Sequence, residues 1–368
     1  MKLRPYQQES VDKALDFVKL GRESSGIIAL PTGSGKTLVI AEIIKQSPEA
    51  RILIVSHVSE ILHQNKRAIE SHTNMPVALY SAGAGFYQVS QITVCGVQSA
   101  YRRPGLFFDF DIVIIDECHM VSTGEGTMYQ TLIREIMPCT IIGLTATPFR
   151  LKDGLIYGHD AFFKEMICQW TQKNRFQSLI DDGYLCKLTT KRTKMEMDVS
   201  DIKLTAGDFN EKQLADRFDR DGVTKAAIAE IVAAGKNRNR WLIFAIDIDH
   251  ADHIAQYLIS NRIPTAVVHS KMESYGFDRE KVIRDIKDGK YKCVVNVNIL
   301  SVGFDYPDID LIAMLRPTQS PTRHIQALGR GCRISSGKTN CLGLDFAGNT
   351  ARLGAINDPV IKDKSKKG

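Results

Sequence analysis

The chain has 368 residues, 43% of them hydrophobic and 24% charged. At about 150 residues per domain this is enough for roughly two domains with cores of their own, which excludes a disordered tail protein, a disulfide miniprotein and a collagen-like fibre. Lys plus Arg number 48 against 42 Asp plus Glu, and the resulting net charge of +6 permits a polyanionic partner without demonstrating one.

The N-terminal Met1-Lys2-Leu3-Arg4-Pro5 turns polar at once, with no apolar signal core, and no apolar run approaches the ~20 residues of a membrane span. A cytosolic protein without membrane attachment is expected. Short apolar runs then alternate with helical patterns. Residues 27–30 precede a Gly-rich turn and a helical run over 38–44. Residues 51–56 precede an amphipathic stretch over 59–69, and 92–97, 112–115 and 140–144 are further β-branched runs. Continuous apolar runs of this length suit strands buried on both faces of a parallel sheet, and their alternation with helices predicts an α/β domain.

The pattern loosens over 151–168, and a helical stretch over 175–180 leads to Asp182-Gly183-Tyr184. The domain boundary is placed just beyond, giving a first domain over 1–186, a second over 187–352 and a basic tail over 353–368. Within the second, 241–246, 265–269, 292–297, 311–315 and 341–346 read as strands, and 222–234, 250–260 and 278–287 as helices. Residues 362–368, rich in Lys, read as a solvated, disordered end. The eight cysteines contain no C-x-x-C pair and the nine histidines do not cluster with them, so free thiols in a reducing compartment are expected rather than zinc.

Four motifs carry chemistry. Leu30-Pro31-Thr32-Gly33-Ser34-Gly35-Lys36-Thr37 follows a strand run and opens a helical one, the setting of a phosphate-binding loop. Its glycines let backbone N–H groups turn around an anion, and the helix start adds its dipole. Lys36 is expected to reach the β- and γ-phosphates, and Thr37 to ligate Mg²⁺. The first position, usually Gly, is Leu30. Second, the strand Ile112-Val113-Ile114-Ile115 ends in Asp116-Glu117-Cys118-His119, 80 residues beyond Lys36. Asp116 would hold Mg²⁺, partly through water, and Glu117 would orient and deprotonate the attacking water. Third, Gly143-Leu144-Thr145-Ala146-Thr147-Pro148 ends a strand in small hydroxyl residues that can sense the nucleotide. Fourth, Gln326-Ala327-Leu328-Gly329-Arg330-Gly331-Cys332-Arg333 sets two arginines three apart, on one face if helical, matching a triphosphate arriving from another domain. Taken singly, each has a plainer reading: a turn and helix cap, a loop start, a strand-end turn stopped by Pro148, and a surface basic helix.

In order and spacing, these motifs resemble the superfamily 2 helicases of the DEAD/DEAH-box type, over about residues 2 to 350. Leu3-Arg4-Pro5-Tyr6-Gln7 resembles the adenine-recognising Q-motif region, residues 30–37 motif I, Asp116-Glu117-Cys118-His119 motif II in its DECH form, and Thr145-Ala146-Thr147 motif III. Ile243-Phe244-Ala245 resembles motif IV, Ser301-Val302-Gly303-Phe304-Asp305 motif V, and residues 326–333 motif VI. Within the superfamily the chain looks most like the bacterial RadD DNA-repair ATPases and their phage relatives. The residues that carry this are 3–8, 113–119, 143–150, 294–318 and 329–349. Such proteins usually continue into a Cys-rich, zinc-finger-like tail. The sequence stops at Gly368, so a minimal or a truncated form is expected.

The resemblance implies an α/β fold of two tandem RecA-like P-loop NTPase domains with parallel sheets, and ATP with Mg²⁺ bound in a cleft between them. It implies that Lys36, Glu117, Arg330 and Arg333 act in catalysis. Arg4, Gln7, Pro31, Thr32, Gly33, Ser34, Gly35, Lys36, Thr37, Asp116, Gly303, Asp305 and Gln326 would contact the nucleotide, with Gln7 reading the base edge and Asp305 near the ribose. Thr37 and Asp116 would meet Mg²⁺, and His119, Thr145 and Thr147 would couple the sites. His57, Gln98, Ser270 and Asn298 are candidate nucleic-acid contacts after strand ends, and all could equally be caps or turns. Motif V often has Thr-Asp where this chain has Val297-Asn298, and motif VI often has His-Arg where it has Gln326-Ala327. The implied activity is ATP-dependent unwinding or remodelling of single-stranded or branched DNA by a monomer in repair, recombination or replication, with partners from replication or recombination. A nucleic-acid-dependent ATPase clamp that recruits partners, or an RNA helicase, remains as the alternative.

Overall fold

The computed structural model describes all residues except Met1, Arg22, Glu23, Val58, Thr123, Glu125, Lys152, Asp153, Arg220, residues 299–305 and residues 362–368. The chain divides into two compact units, Met1–Phe176 and Gln177–Lys362. The division falls ten residues before the boundary expected from sequence, inside a helix.

The first unit begins with helix α1 (Pro5–Lys19), then strand β1 (Ser24–Ala29), α2 (Lys36–Lys45), β2 (Ile52–Ser56) and α3 (Ser59–Thr73). It continues through β3 (Ala78–Ser81), β4 (Phe86–Tyr87), β5 (Ile92–Gly96), α4 (Val97–Ala100), β6 (Ile112–Asp116), α5 (Met128–Ile136) and β7 (Thr140–Thr145). The short β8 (Phe149–Arg150) and β9 (Gly154–Leu155) and the longer β10 (Glu165–Gln169) follow, and α6 (Lys173–Asp181) leaves the unit. The sheet runs β10-β1-β7-β6-β2-β5-β3-β4, parallel except for the terminal β3–β4 hairpin. Ile52, Leu53, Ile54 and Val55 are wholly buried, as expected of a central strand covered on both faces. Ile27, Leu53, Val55, Val113 and Ile115 share one cluster with Ala100, Tyr129, Leu132 and Ile136 of α4 and α5. The opposite face carries the mutually packed α1, α2 and α3. The aperiodic stretch over 151–168 hides β10, which pairs in parallel with β1 and covers that edge of the sheet. Its half-buried position explains the missing apolar run.

The second unit contains β11 (Lys187–Lys191), the small hairpin β12 (Leu204–Thr205) and β13 (Asp208–Phe209), α7 (Glu211–Phe218), α8 (Asp221–Ala234), β14 (Trp241–Phe244) and α9 (Ile248–Ser260). Then come β15 (Thr265–Val268), α10 (Arg279–Lys287), β16 (Cys293–Asn296), β17 (Leu311–Met314), α11 (Pro321–Gly329), β18 (Asn340–Asp345), α12 (Asn349–Leu353), β19 (Gly354–Ala355) and β20 (Asp358–Pro359). Its sheet, β11-β18-β17-β14-β16-β15, is wholly parallel. Alternate residues sort cleanly. Trp241, Ile243, Leu311 and Ala313 pack against α8 and α9, while Leu242, Phe244, Ile312 and Met314 pack against Ile286 of α10 and Ala327 and Leu328 of α11. Residues 353–361, expected to begin a basic tail, instead finish α12 and form the antiparallel β19–β20 pair, closed by Val360 N–H donating to the Leu353 carbonyl. The expectation for 362–368 lies outside the described residues.

Candidate ATP and nucleic-acid sites

The loop over 30–37 joins the end of β1 to the start of α2. Gly33 and Gly35 both hold φ of +83°, the left-handed region that glycine enters without strain. Leu30 does not need that freedom: it is fully buried, and its N–H donates to the Thr145 carbonyl at 2.9 Å. The loop is braced from α1. Tyr6 Oη and Gln7 Nε2 both donate to the Ser34 carbonyl, at 2.6 and 2.8 Å, and a β-carbon on Gly35 would lie 2.6 Å from Gln7 Nε2. Gln7 Oε1 accepts the Arg4 N–H at 2.9 Å. Both ends of the Gln7 amide, expected to read adenine, are thus engaged with the loop and with the start of its own helix.

Asp116 ends β6, and Glu117 turns the chain with φ of +53° while donating its N–H to Asp116 Oδ1 at 2.9 Å. A non-glycine residue in this region is uncommon and frequently marks a functional turn. The turn brings the two adjacent carboxyl groups to one site. Lys36 Nζ lies 3.5 Å from Glu117 Oε1, and His119 Nδ1 lies 3.3 Å from Glu117 Oε2. Burial alone would raise the Glu117 carboxyl, but the Lys36 ammonium and the His119 ring reverse this and lower it to about 2. Burial, and then the neighbouring Glu117 charge, push Asp116 upward against the opposing pull of Lys36 and Asn65. The expected coupling residues also meet: His119 Nδ1 is 2.9 Å from Thr145 Oγ1, which accepts the Thr147 N–H at 3.0 Å.

Asn65 was not anticipated. It projects from α3 between motif I and motif II: Thr37 Oγ1 donates to its Oδ1 at 3.2 Å, and its Nδ2 donates to Asp116 Oδ2 at 3.0 Å. Thr37 and Asp116 supply hard oxygen atoms, the donor type Mg²⁺ prefers, and Mg²⁺ commonly takes only one or two protein ligands beside phosphate. Among the described residues no group of three or more His, Cys, Asp or Glu forms a metal site. The open glycine loop, the adjacent Lys36 and this oxygen pair fit a Mg²⁺-nucleotide.

In the second unit the arginines of motif VI do not share a helix face. α11 stops at Gly329; Arg330 caps it and is buried, and Arg333 follows a turn in which Gly331 and Cys332 donate to the Leu328 and Gly329 carbonyls. Beyond the helix, Gly331 lies tight against β18: a β-carbon there would come 2.5 Å from Cys341 Sγ. The turn is held by Lys338, also missed in the sequence, whose Nζ donates to the carbonyls of Pro307, Gly331 and Arg333 at 3.0, 2.9 and 2.7 Å. Gln326 is buried on α11. Gly303 and Asp305 lie outside the described residues.

All four candidate nucleic-acid residues follow carboxyl ends of strands. In the first unit Gln98 Nε2 donates to the His57 carbonyl at 2.8 Å, after β5 and β2. In the second, Ser270 is exposed beyond β15, and Asn298, with φ of +63°, accepts from Arg316 Nη1 at 2.6 Å beyond β16. Asn298 also borders a cavity of about 170 Å³ with Phe244, Asn296, Met314, Arg316 and Thr318.

Two family models match the chain: the type III restriction enzyme res subunit over residues 1–150, and the helicase conserved C-terminal domain over 224–335. The IRC3 protein of Saccharomyces cerevisiae, provisionally described as an ATP-dependent helicase, is 26% identical over 98% of this chain and 53% of its own length. The DNA 3'-5' translocase XPB2 of Sulfurisphaera tokodaii is 27% identical over 90% of this chain and 78% of its own. The chain spans 53% of the length of the Saccharomyces cerevisiae relative and 60% of that of the irc3 protein of Schizosaccharomyces pombe. A fragment assigned as the HsdR subunit of a type I restriction enzyme from Vibrio vulnificus superposes with a TM-score of 0.68 at 19% identity, covering 98% of this chain and 68% of that one, which shows the fold. No helix among the described residues is long and apolar enough to cross a membrane. Two tandem α/β units of RecA-like type, the first carrying a ResIII domain and the second a helicase C-terminal domain, thus give the chain the domain pair of the superfamily 2 helicases.

Proposed function

We propose that this chain is an ATP-driven motor on DNA, a translocase or helicase of RadD-like kind that acts on single-stranded or branched DNA. The observation that carries the reading is the assembly at the ends of β1 and β6, where Lys36, Thr37, Asp116 and Glu117 converge around an open glycine loop. ATP with Mg²⁺ would supply the phosphoryl group and the charge-neutralising cation. Lys36 exchanges its contact with Glu117 for phosphate oxygens. Glu117, relieved of that ammonium, holds and deprotonates water. The catalytic role of Arg330 and Arg333 belongs to the same reading. His119 and Thr145, bonded to each other and linked through Leu30 to the phosphate loop, sense the nucleotide state.

DNA contact is expected to be mainly with phosphate and therefore salt-sensitive, with little reading of bases. A role in repair or recombination, a monomeric state, a cytoplasmic location and partners from replication or recombination belong to the same reading. The test measures ATP hydrolysis with single-stranded DNA, forked DNA and RNA, alongside displacement of a labelled strand. Hydrolysis stimulated by DNA together with displacement on the fork is expected. Stimulation by RNA alone overturns the reading, and DNA stimulation without displacement or movement reduces the chain to a nucleotide-switched clamp.

A further inference from the structure

We infer that Asn65 is a positioning residue that sets the spacing and the proton direction of the two oxygen groups expected to meet Mg²⁺; this rests on the ATP reading above. Asn65 stands within α3, fully buried, where an uncharged polar side chain is costly unless every polar atom finds a partner. Both of its partners come from the nucleotide motifs: the Thr37 hydroxyl, at the first turn of α2, and the Asp116 carboxylate, at the end of β6.

The amide can serve both in one orientation only. A carboxylate oxygen accepts and cannot donate, so Nδ2 must face Asp116. Oδ1 is then left for Thr37, and the hydroxyl must spend its single proton there. What the Thr37 oxygen can still offer is a lone pair, which is what a cation requires. Asp116 is treated in the same way. Oδ1 accepts from the Glu117 N–H and Oδ2 from Asn65, so both oxygens are oriented while keeping acceptor capacity. One neutral side chain thereby ties two groups that are far apart in sequence and turns both toward a positive charge. Partners of this kind around metal ligands typically change metal affinity by about 10–100-fold when removed.

The experiment uses the full chain and Asn65→Leu, which keeps the approximate volume and removes both polar atoms. Binding of a fluorescent ADP analogue is measured first in EDTA and then against rising Mg²⁺, with Mn²⁺ binding to the nucleotide complex followed by electron paramagnetic resonance. Asn65→Leu should raise the Mg²⁺ half-saturation, read relative to the variant's own affinity in EDTA, by about tenfold or more. Thr37→Ala should raise it too, and the double variant should show less than the product of the two effects, because both act on one hydroxyl. Should Asn65→Leu lower the melting temperature markedly, Asn65→Ala, which leaves room for water, is read instead and should shift Mg²⁺ dependence in the same direction. An unchanged Mg²⁺ half-saturation in a folded variant, or fully independent effects in the double variant, overturns the inference while leaving the ATP reading intact. Failure of the parent chain itself to bind nucleotide removes both together.

Discussion

The carboxyl ends of the two parallel sheets hold buried charge in different ways. In the first unit the charges come from the motifs themselves: Lys36 faces Glu117 at 3.5 Å, a contact long and loose enough for a point charge on a flexible stem to leave. In the second unit Arg316 is clamped. It donates to the Ile246 carbonyl at 2.9 Å, to Asn298 Oδ1 at 2.6 Å and to Glu211 at 2.8 Å. Beside it, Asp208 accepts from Thr318 Oγ1 at 2.8 Å, the Gln319 N–H at 2.7 Å and Arg323 at 3.0 Å. Asp208 and Glu211 lie about a hundred residues earlier in the chain, so the second network ties the β13–α7 segment to the strand ends. A multiply bonded guanidinium fixes a scaffold, whereas an ammonium resting 3.5 Å from a carboxylate is poised to change partner.

This contrast can be broken at its largest effect first. Glu117→Gln should lower ATP turnover by about 10²–10⁴-fold while the nucleotide still binds, measured by steady-state hydrolysis and fluorescence titration. Arg316→Ala should act on stability instead, lowering the urea midpoint of the second unit's unfolding by an amount equivalent to about 1–3 kcal/mol through loss of charged hydrogen bonds. Near-normal turnover in the first, or a purely kinetic defect in the second, would reverse the assignment of the two networks.

Packing supplies a more even pair. A β-carbon at Gly143 would meet Cys118 Sγ at 2.7 Å and the Phe163 ring at 2.8 Å, and one at Gly235 would meet the Trp241 ring at 2.3 Å. Alanine at either should destabilise its own unit by about 1–3 kcal/mol, read as separate shifts in thermal unfolding. Gly143 borders the motif II turn, so its alanine variant should also slow hydrolysis, and the Gly235 variant should not.

The smallest expected effect is one of pH. His250 accepts the Ile246 N–H on Nδ1 at 3.3 Å, an arrangement that only the neutral ring allows. Burial lowers its pKa from 6.5 to about 4, against the raising influence of Asp219 and Asp247. The folded state then binds fewer protons than the unfolded state between these values, so stability from this group is complete above 6.5 and is lost progressively as the pH falls toward 4. Chemical denaturation of the second unit between these limits should show that slope, and His250→Gln should flatten it.

Local chemistry made much of this legible. The phosphate loop, the acidic strand end and the ten expected strands lie within short windows, where side-chain alternation, glycine and burial on both faces leave direct marks. β10 left none because an edge strand needs no continuous apolar run. Motif VI read as a helix because an i, i+3 spacing of arginines suits one, and that spacing does not register that α11 ends at Gly329. Lys338 stands in an ordinary-looking Ser-Gly-Lys-Thr loop, and its three carbonyl partners are not visible from that position.

The sequence by itself therefore determined the ten buried strands it marked, the α/β two-domain plan and the candidate residues for a triphosphate, since each depends on neighbours within a few positions. Only the tertiary structure decided how those residues are held. Gln7 and Tyr6 reach the loop across 27 and 28 residues, and Asn65 reaches Thr37 and Asp116 across 28 and 51. The physical reason is that a buried polar group must find its partner wherever the folded chain places one, and that distance has no signature in the sequence.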